Sequence, residues 1–312
     1  MTVLTERPGR QPKPEFEPEK KTKGMLAVFF LVVTVPLLAL VAAVPVAWGW
    51  GLTWTDVAIA VGFYVFCGLG VTVGFHRYFT HGSFKANRPL KLLLGIAGSM
   101  SLEMSVIDWV ATHRKHHKYS DKEGDPHSPW RFGTSFRAVC KGLLYAHMGW
   151  MFEADRVNRS RYAPDLLKDP DALRLHRWFP AIATASVLLP PVIGGLITWS
   201  WQGALTAFFW GSLVRIGLLH HVTWSINSIC HVFGKRQFAS RDESGNVWWL
   251  ALPSFGESWH NLHHAYPVSA RHGVLKGQID LSAGLIRAFE KLGWAYDVHW
   301  PDPARVAAKR IA

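Results

Sequence analysis

The sequence predicts an all-α integral membrane protein: four transmembrane helices in two hairpins, with a cytoplasmic helical cap that holds a histidine-rich metal centre. Three observations predict it. Four apolar runs are long enough to cross a bilayer. All but one of the 34 Lys and Arg lie in three polar stretches, and the two short turns between apolar runs carry none. Most of the 16 histidines fall in those polar stretches, several of them at i, i+3 and i+4.

Taken in order, residues 1–24 are polar and rich in Pro and charge, which predicts a disordered tail with no cleavable signal. Residues 25–48 then run without a charge, longer than the ~20 needed to span hydrocarbon. Pro36 and Pro45 inside the run are tolerated in membrane helices. Trp48, Trp50 and Trp54 mark an interfacial belt. A second run covers 55–75, with Asp56 at its start. The stretch 90–106 is apolar but short and contains Glu103, so it reads as one helix lying at the interface or returning into it. A third span covers 179–199, with Pro190 and Pro191 inside it. A fourth covers 204–225, and its helical pattern continues towards His231. The remainder is polar and adds no span, with 301–312 as a C-terminal tail to a single domain over 25–300. Cys67, Cys140 and Cys230 are scattered without a CxxC, which predicts reduced thiols rather than a disulfide framework.

Orientation follows from the basic residues. Six Lys or Arg precede span one, 17 lie between spans two and three, and ten follow His231. The turns at 49–54 and 200–203 have none. The positive-inside rule puts both termini and every histidine cluster on the cytoplasmic side. The net charge of +12 is thereby assigned to a membrane surface, not to nucleic acid. A helix from Thr55 to His81 would run roughly 40 Å, and one from Ala204 to His231 about 42 Å. Both exceed the ~30 Å of hydrocarbon. Spans two and four should project about three turns beyond it and carry His76, His81, Asn227 and His231 there.

The histidines carry the chemistry. His113, His116 and His117 stand at i, i+3 and i+4, one helix face. His260, His263 and His264 repeat the pattern. His76 and His81 are five apart, about 140° round an ideal helix, so a helix end or local unwinding is implied. Asn227 and His231 share a face at i and i+4. Nine His and one Asn suit two ions with four or five ligands each. A single cluster in a basic loop would read as a solvated patch; the repetition on one side of one membrane favours ligation. Arg114, Lys115 and Lys118 read as a solvated or headgroup face. His147, His176, His272 and His299 read as ordinary polar residues, and His220 and His221 as an interfacial pair hydrogen-bonded within the bundle. His127, in a turn, reads equally as a residue supporting the ligands. Asp121, Asp125 and Glu257 are candidates to accept the outer imidazole N–H of ligating histidines, as such ligands usually require. Imidazole ligands alone leave Zn, Cu, Fe and Ni open.

The segments Gly74-Phe-His76-Arg-Tyr-Phe-Thr-His81, Asp108-Trp109 with His113-Arg-Lys-His116-His117, Asp125-Pro-His127, Asn227-Ser-Ile-Cys-His231 and Glu257-Ser-Trp-His260-Asn-Leu-His263-His264 resemble the membrane acyl-CoA (stearoyl-CoA type) fatty acid desaturases, over about residues 25–300. The resemblance implies an oxidoreductase with two irons per chain. It would use O₂ and electrons from a separate donor, a ferredoxin, flavin reductase or cytochrome b5-like protein, to place a cis double bond, expected at carbon 9, in a fatty acyl thioester. It implies that His76, His81, His113, His117 and His263 hold one iron. His116, His231, His260 and His264 hold the other, with Asn227 acting through water. Trp224 and Trp109 would contact substrate in an apolar tunnel.

The chain departs from that family at the substrate carrier. Animal acyl-CoA members have an Arg-Asp pair just before the second box, where Ala111 and Thr112 stand here. They also have a basic pair where this chain has Glu153-Ala154-Asp155. Both departures remove groups that grip the CoA headgroup in those relatives, so an acyl carrier protein thioester, a phospholipid chain, or CoA held by other basic residues stays open. A membrane di-iron hydroxylase of an alkane or other lipid is the rival reading. A metal transporter would need ionisable groups within the spans; spans one and three have none, and Arg215 in span four is isolated.

Overall fold

The computed structural model describes residues 13–19, 21–49 and 51–311. Four helices are long and apolar enough to cross a membrane: Lys23–Trp48, Trp54–Thr80, Pro170–Thr198 and Trp201–His231. Spans two and four extend past the apolar runs, as their lengths require. They form the inner pair, with 44% and 56% of their most apolar windows buried against 17% for each of the outer two. Spans one and three both pack against span four.

Local chemistry fixes the helix starts. Span two begins in a reciprocal cap. Asp56 N–H donates to Thr53 Oγ1 at 3.2 Å, and Thr53 N–H donates to Asp56 Oδ2 at 2.9 Å. Asp169 accepts from the N–H groups of Asp171 and Ala172 to start span three. Proline at positions 36, 45, 180, 190 and 191 is absorbed without ending either outer helix. Arg215 is buried and satisfied by oxygens: it donates to the carbonyls of Gly211, Ser186 and Met100, and to Ser186 Oγ.

The last 11 residues of span two, Gly70–Thr80, form a π-helix. Its hydrogen bonds join residues five apart, and His81 N–H donates to His76 O at 3.2 Å. This resolves the irregular spacing of His76 and His81. Gly70 and Gly74 let the neighbouring helix approach. A Cβ on Gly70 would lie 2.2 Å from Gly98 N, and one on Gly74 2.8 Å from Leu94 O.

Three expectations change. The stretch 90–106 is not one helix: Arg88–Ser99 ends before Met100, and a separate helix, Val106–Tyr119, is started by Ser105. Leu102, at φ 64°, turns the chain between them. The predicted tail is described only in part. Residues 1–12 and 20 lie outside the described residues, but Phe16–Pro18 pairs antiparallel with Asp155–Val157, and Glu15 accepts from Tyr119 Oη at 2.9 Å. The C-terminal tail also packs: Pro303–Ala308 is helical, and Lys309 Nζ donates to Ala265 O.

Candidate metal centre

The two long spans deliver His76 and His231 to the same end of the bundle. The helix Val106–Tyr119 lies between them, and the short helix His260–Ala265 closes over them. Ligating atoms of His76, His81, His113, His117 and His263 all lie within 4.8 Å of one another, and so do those of His116, His231, His260 and His264. The second-box helix serves both clusters because His113 and His117 share a face while His116 points aside.

In the five-histidine cluster, His263 Nε2 stands 3.0 Å from His76 Nε2 and 2.9 Å from His117 Nε2, which is itself 3.0 Å from His113 Nε2. In the four-histidine cluster, His260 Nε2 stands 3.0 Å from the Nε2 atoms of both His231 and His264. An imidazole nitrogen carries one proton or one lone pair. Neither His263 nor His260 can satisfy two such neighbours by hydrogen bonding, whereas one cation would accept every lone pair. Nitrogens about 2.1 Å from an ion and at right angles to each other lie about 3.0 Å apart. His81 Nε2 and His116 Nε2 are buried with no partner of their own. The donor set therefore fits a metal in each cluster.

The outer nitrogens fix the tautomers. A carboxylate only accepts, so the nitrogen facing it carries the proton and leaves Nε2 free inside. His76 Nδ1 donates to Glu257 Oε2 at 2.5 Å, and His116 Nδ1 to Asp125 Oδ1 at 3.0 Å. His231 Nδ1 donates to Asp121 Oδ2 at 2.9 Å, and His264 Nδ1 to Asp242 Oδ2 at 2.7 Å. Burial, reinforced by the neighbouring imidazoles, holds His81, His113, His117, His260 and His263 well below the ordinary histidine range. Burial pushes His264 down to about 3 against the pull of Asp242. Burial opposes ionisation of Asp125 and Asp242, yet facing histidines hold both carboxyls below their usual range. His231, by contrast, is raised, because Asp121 outweighs the opposing effect of burial; the imidazoles held low are neutral, the state in which they can bind a cation.

Asp121, Asp125 and Glu257 thus each accept from a clustered histidine. The sequence reading missed Asp242 and His272. Asp242 is 22 positions from His264 and has no spacing signature. His272, expected to be an ordinary polar residue, is fully buried, with its ring 4.5 Å from that of His263 and Nδ1 3.5 Å from Glu257 Oε2. His127 stacks on His116 at 4.3 Å. His147 is half-buried and pairs with His221 at 2.9 Å and with Ser228 Oγ at 3.0 Å. His220 bonds to Ser101 O, and His176 to Ser105 Oγ. Arg114 and Lys115 are not a solvated face. Arg114 donates to Asp165 and to the carbonyls of Phe79, Thr80 and Tyr162. Lys115 is fully buried, its Nζ lying over the Phe16 ring.

A mostly apolar cavity meets both clusters, reaching His76 and His113 on one side and Asn227 and His260 on the other. Trp109 and Trp224 are in its wall. Trp109 stacks on His113 at 4.8 Å and donates from Nε1 to Glu103 Oε2 at 2.9 Å. Trp224 is stacked on His220. Asn227 is in the lining, next to the four-histidine cluster, and makes no hydrogen bond to it. Ala111 lies in the core and Thr112 in the cavity wall, so neither presents a side chain to the protein exterior.

A family model described as "Fatty acid desaturase" matches residues 50–276. The chain is 37% identical to a hex-5-enoyl-[acyl-carrier protein] acetylenase of Moorena producens, over 93% of this chain and 91% of that one. It is 36% identical to the sn-1 stearoyl-lipid 9-desaturase of Synechocystis sp., over 93% and 85%. It is also 36% identical to delta-9 acyl-lipid desaturase 1 of Arabidopsis thaliana, over 81% and 78%.

Proposed function

We propose that this chain, which belongs to the fatty acid desaturase family, introduces a cis double bond at carbon 9 of a saturated fatty acyl chain. One acyl chain, one O₂, two electrons and two protons would yield the alkene and two waters. The carrying observation is the pairing of two all-imidazole clusters across one apolar cavity that reaches both. Two irons held by the nine histidines, with Asn227 acting through water, would supply the oxidation that an unactivated C–H bond demands. The protein's own part is placement. The apolar wall excludes water and holds the chain between the clusters, and Trp109 and Trp224 bound its path. Glu257, Asp121, Asp125 and Asp242 keep the outer imidazole nitrogens protonated and the inner ones free. Electrons come from a separate donor, a ferredoxin, flavin reductase or cytochrome b5-like protein, docking on the basic cytoplasmic face. The carrier expected from the resemblance is CoA; the relatives' names print an acyl-carrier protein and lipids instead.

Expression in a host that lacks the activity tests this reading, with double bonds localised by mass spectrometry of total fatty acids. A carbon-9 alkene is expected. An alcohol in its place would make the chain a hydroxylase.

A further inference from the structure

Two openings adjoin the cavity and share lining residues with it, and they differ in chemistry. The first is a polar mouth in the cap between the strand Asp155–Val157 and the helix Phe136–His147. Its acidic groups Glu19, Asp108, Glu153 and Asp155 outnumber Lys21, Arg131 and Arg156. Arg156 faces Glu17 and Glu19, and Arg131 faces Glu153. A polyphosphate headgroup would meet mostly carboxylates there; Lys21 has no carboxylate partner among the described residues, and its Nζ is held by the carbonyls of Met151 and Glu153.

The second opening is a cleft between the cytoplasmic halves of spans one and three. Val28, Phe29 and Val32 form one wall, and Phe179, Ala183 and Val187 the other. These residues belong to membrane-spanning helices, so the cleft faces acyl chains and not water. Its floor is Glu103, Met104, Met151 and Trp224, and the same four residues line the cavity that reaches the histidines. The cleft and the cavity are therefore neighbours, with these four side chains as their common boundary. At its cytoplasmic end stand Thr22 and Arg177. Arg177 is exposed and, among the described residues, has no carboxylate partner, unlike Arg156 on the same rim. Besides Arg177, the lining of the cleft includes Glu19, Asp108, Arg156, His176 and His220, and Glu103 stands where the cleft meets the cavity. Burial raises the Glu103 carboxyl above the usual range, which favours the neutral acid on an apolar route.

We propose that the substrate is a chain of an intact membrane glycerophospholipid, which enters sideways from the bilayer through the cleft between spans one and three while its phosphate rests at Arg177. This names the carrier for the desaturase reading above and rests on it. The cavity abuts a cleft whose walls match a hydrocarbon chain, while the polar mouth is rich in carboxylates that would oppose the phosphates of CoA.

The test uses the full chain in phosphatidylcholine vesicles that contain a phosphatidylcholine with a diazirine midway along one chain. After irradiation, labelled peptides are located by mass spectrometry, a readout independent of turnover. Label is expected at Met104 and Trp224, inside the cavity, as well as on the outer helix faces. Ala183→Trp should cut the inner labelling at least tenfold. Val28→Trp, on the opposite wall, should do the same, so that a folding defect in one variant does not decide the matter. Leu196→Trp, at the far end of span three, should change nothing. Inner labelling that is absent in the native chain, or equal in the native and cleft-filled chains, overturns the proposal. Label concentrated around Arg131 and Tyr145 overturns it too. Stearoyl-CoA supplied to the same vesicles in air, with ferredoxin, its reductase and NADPH added as the electron source, separates the two readings. Alkene from the CoA ester without inner labelling refutes the cleft alone; inner labelling with no alkene from either source refutes the desaturase reading alone.

Discussion

The two histidine clusters are built from the same residue type yet are held by different forces. In the four-histidine cluster, three of the four imidazoles are tethered by charge: His116 to Asp125, His231 to Asp121 and His264 to Asp242. In the five-histidine cluster, among the described residues, only His76 has a carboxylate, Glu257. The others are held by packing: His113 by Trp109, His263 by His272, and His81 by the π-helical turn that puts it one turn from His76. A cation in the four-histidine cluster would be neutralised locally. One in the five-histidine cluster would lean on a single carboxylate and on the rigidity of span two. The electrostatic site should tolerate the loss of one support better than the packed one.

Losing a ligand should erase this difference, and it carries the largest effect. His263→Ala in one cluster and His116→Ala in the other should each abolish product while the protein remains in the membrane. If each cluster holds one iron as proposed, bound iron should fall from two per chain towards one. Wild-type turnover in both variants would refute the site, and full activity in a zinc-only preparation would refute the oxidation. If either variant lost both ions together, the clusters would behave as one site and the comparison would fail.

Losing a carboxylate should expose the difference. Removal of an outer partner of a ligating histidine typically costs 10–100-fold in metal affinity. Asp242→Asn leaves Asp121 and Asp125 in place and should lie near the low end, about tenfold. Glu257→Gln removes the only carboxylate of its cluster. It also deprives the fully buried Arg77 of one of its two anionic partners, at 3.1 Å, leaving Asp280. Its cost should be about a hundredfold. Iron retained against a chelator, measured for both variants, checks the ranking. Equal loss would mean that the tethers act alike in both clusters.

What could be read from the sequence divides along the same line. Spans are legible because hydropathy and length decide them without tertiary contacts, and His113, His116 and His117 because i, i+3, i+4 spacing is local. Carboxylates next to a box in sequence, such as Asp121, Asp125 and Glu257, are legible for the same reason. Asp242 and His272 reach the clusters by folding alone, from loops whose composition says nothing. Lys115 misled because its charge suggested solvent, while its helix is enclosed by neighbours and by the strand Phe16–Pro18. That strand was hidden in a tail whose composition reads as disordered; Phe16, the only aromatic residue there, was the available signal. His76 and His81 sat between the two cases. Their spacing announced unwinding, but only the π-helix shows which way.

The smallest expected effect probes the packed supports directly. Trp109→Phe keeps an aromatic face on His113 but removes the Nε1–H bond to Glu103, whose other carboxyl oxygen is already buried without a partner. A lost hydrogen bond of this kind costs about 1 kcal/mol, or roughly fivefold in rate if felt in the transition state. His127→Phe is the matching change in the other cluster, since His127 stacks on His116. There Asp125 still grips His116 Nδ1, so the ring keeps its orientation and turnover should fall by no more than about twofold, less than one hydrogen bond. Turnover and iron content of the two variants, compared side by side, decide it. A larger loss in His127→Phe would show that packing matters as much where carboxylates are plentiful, and that charge is not what steadies the four-histidine cluster.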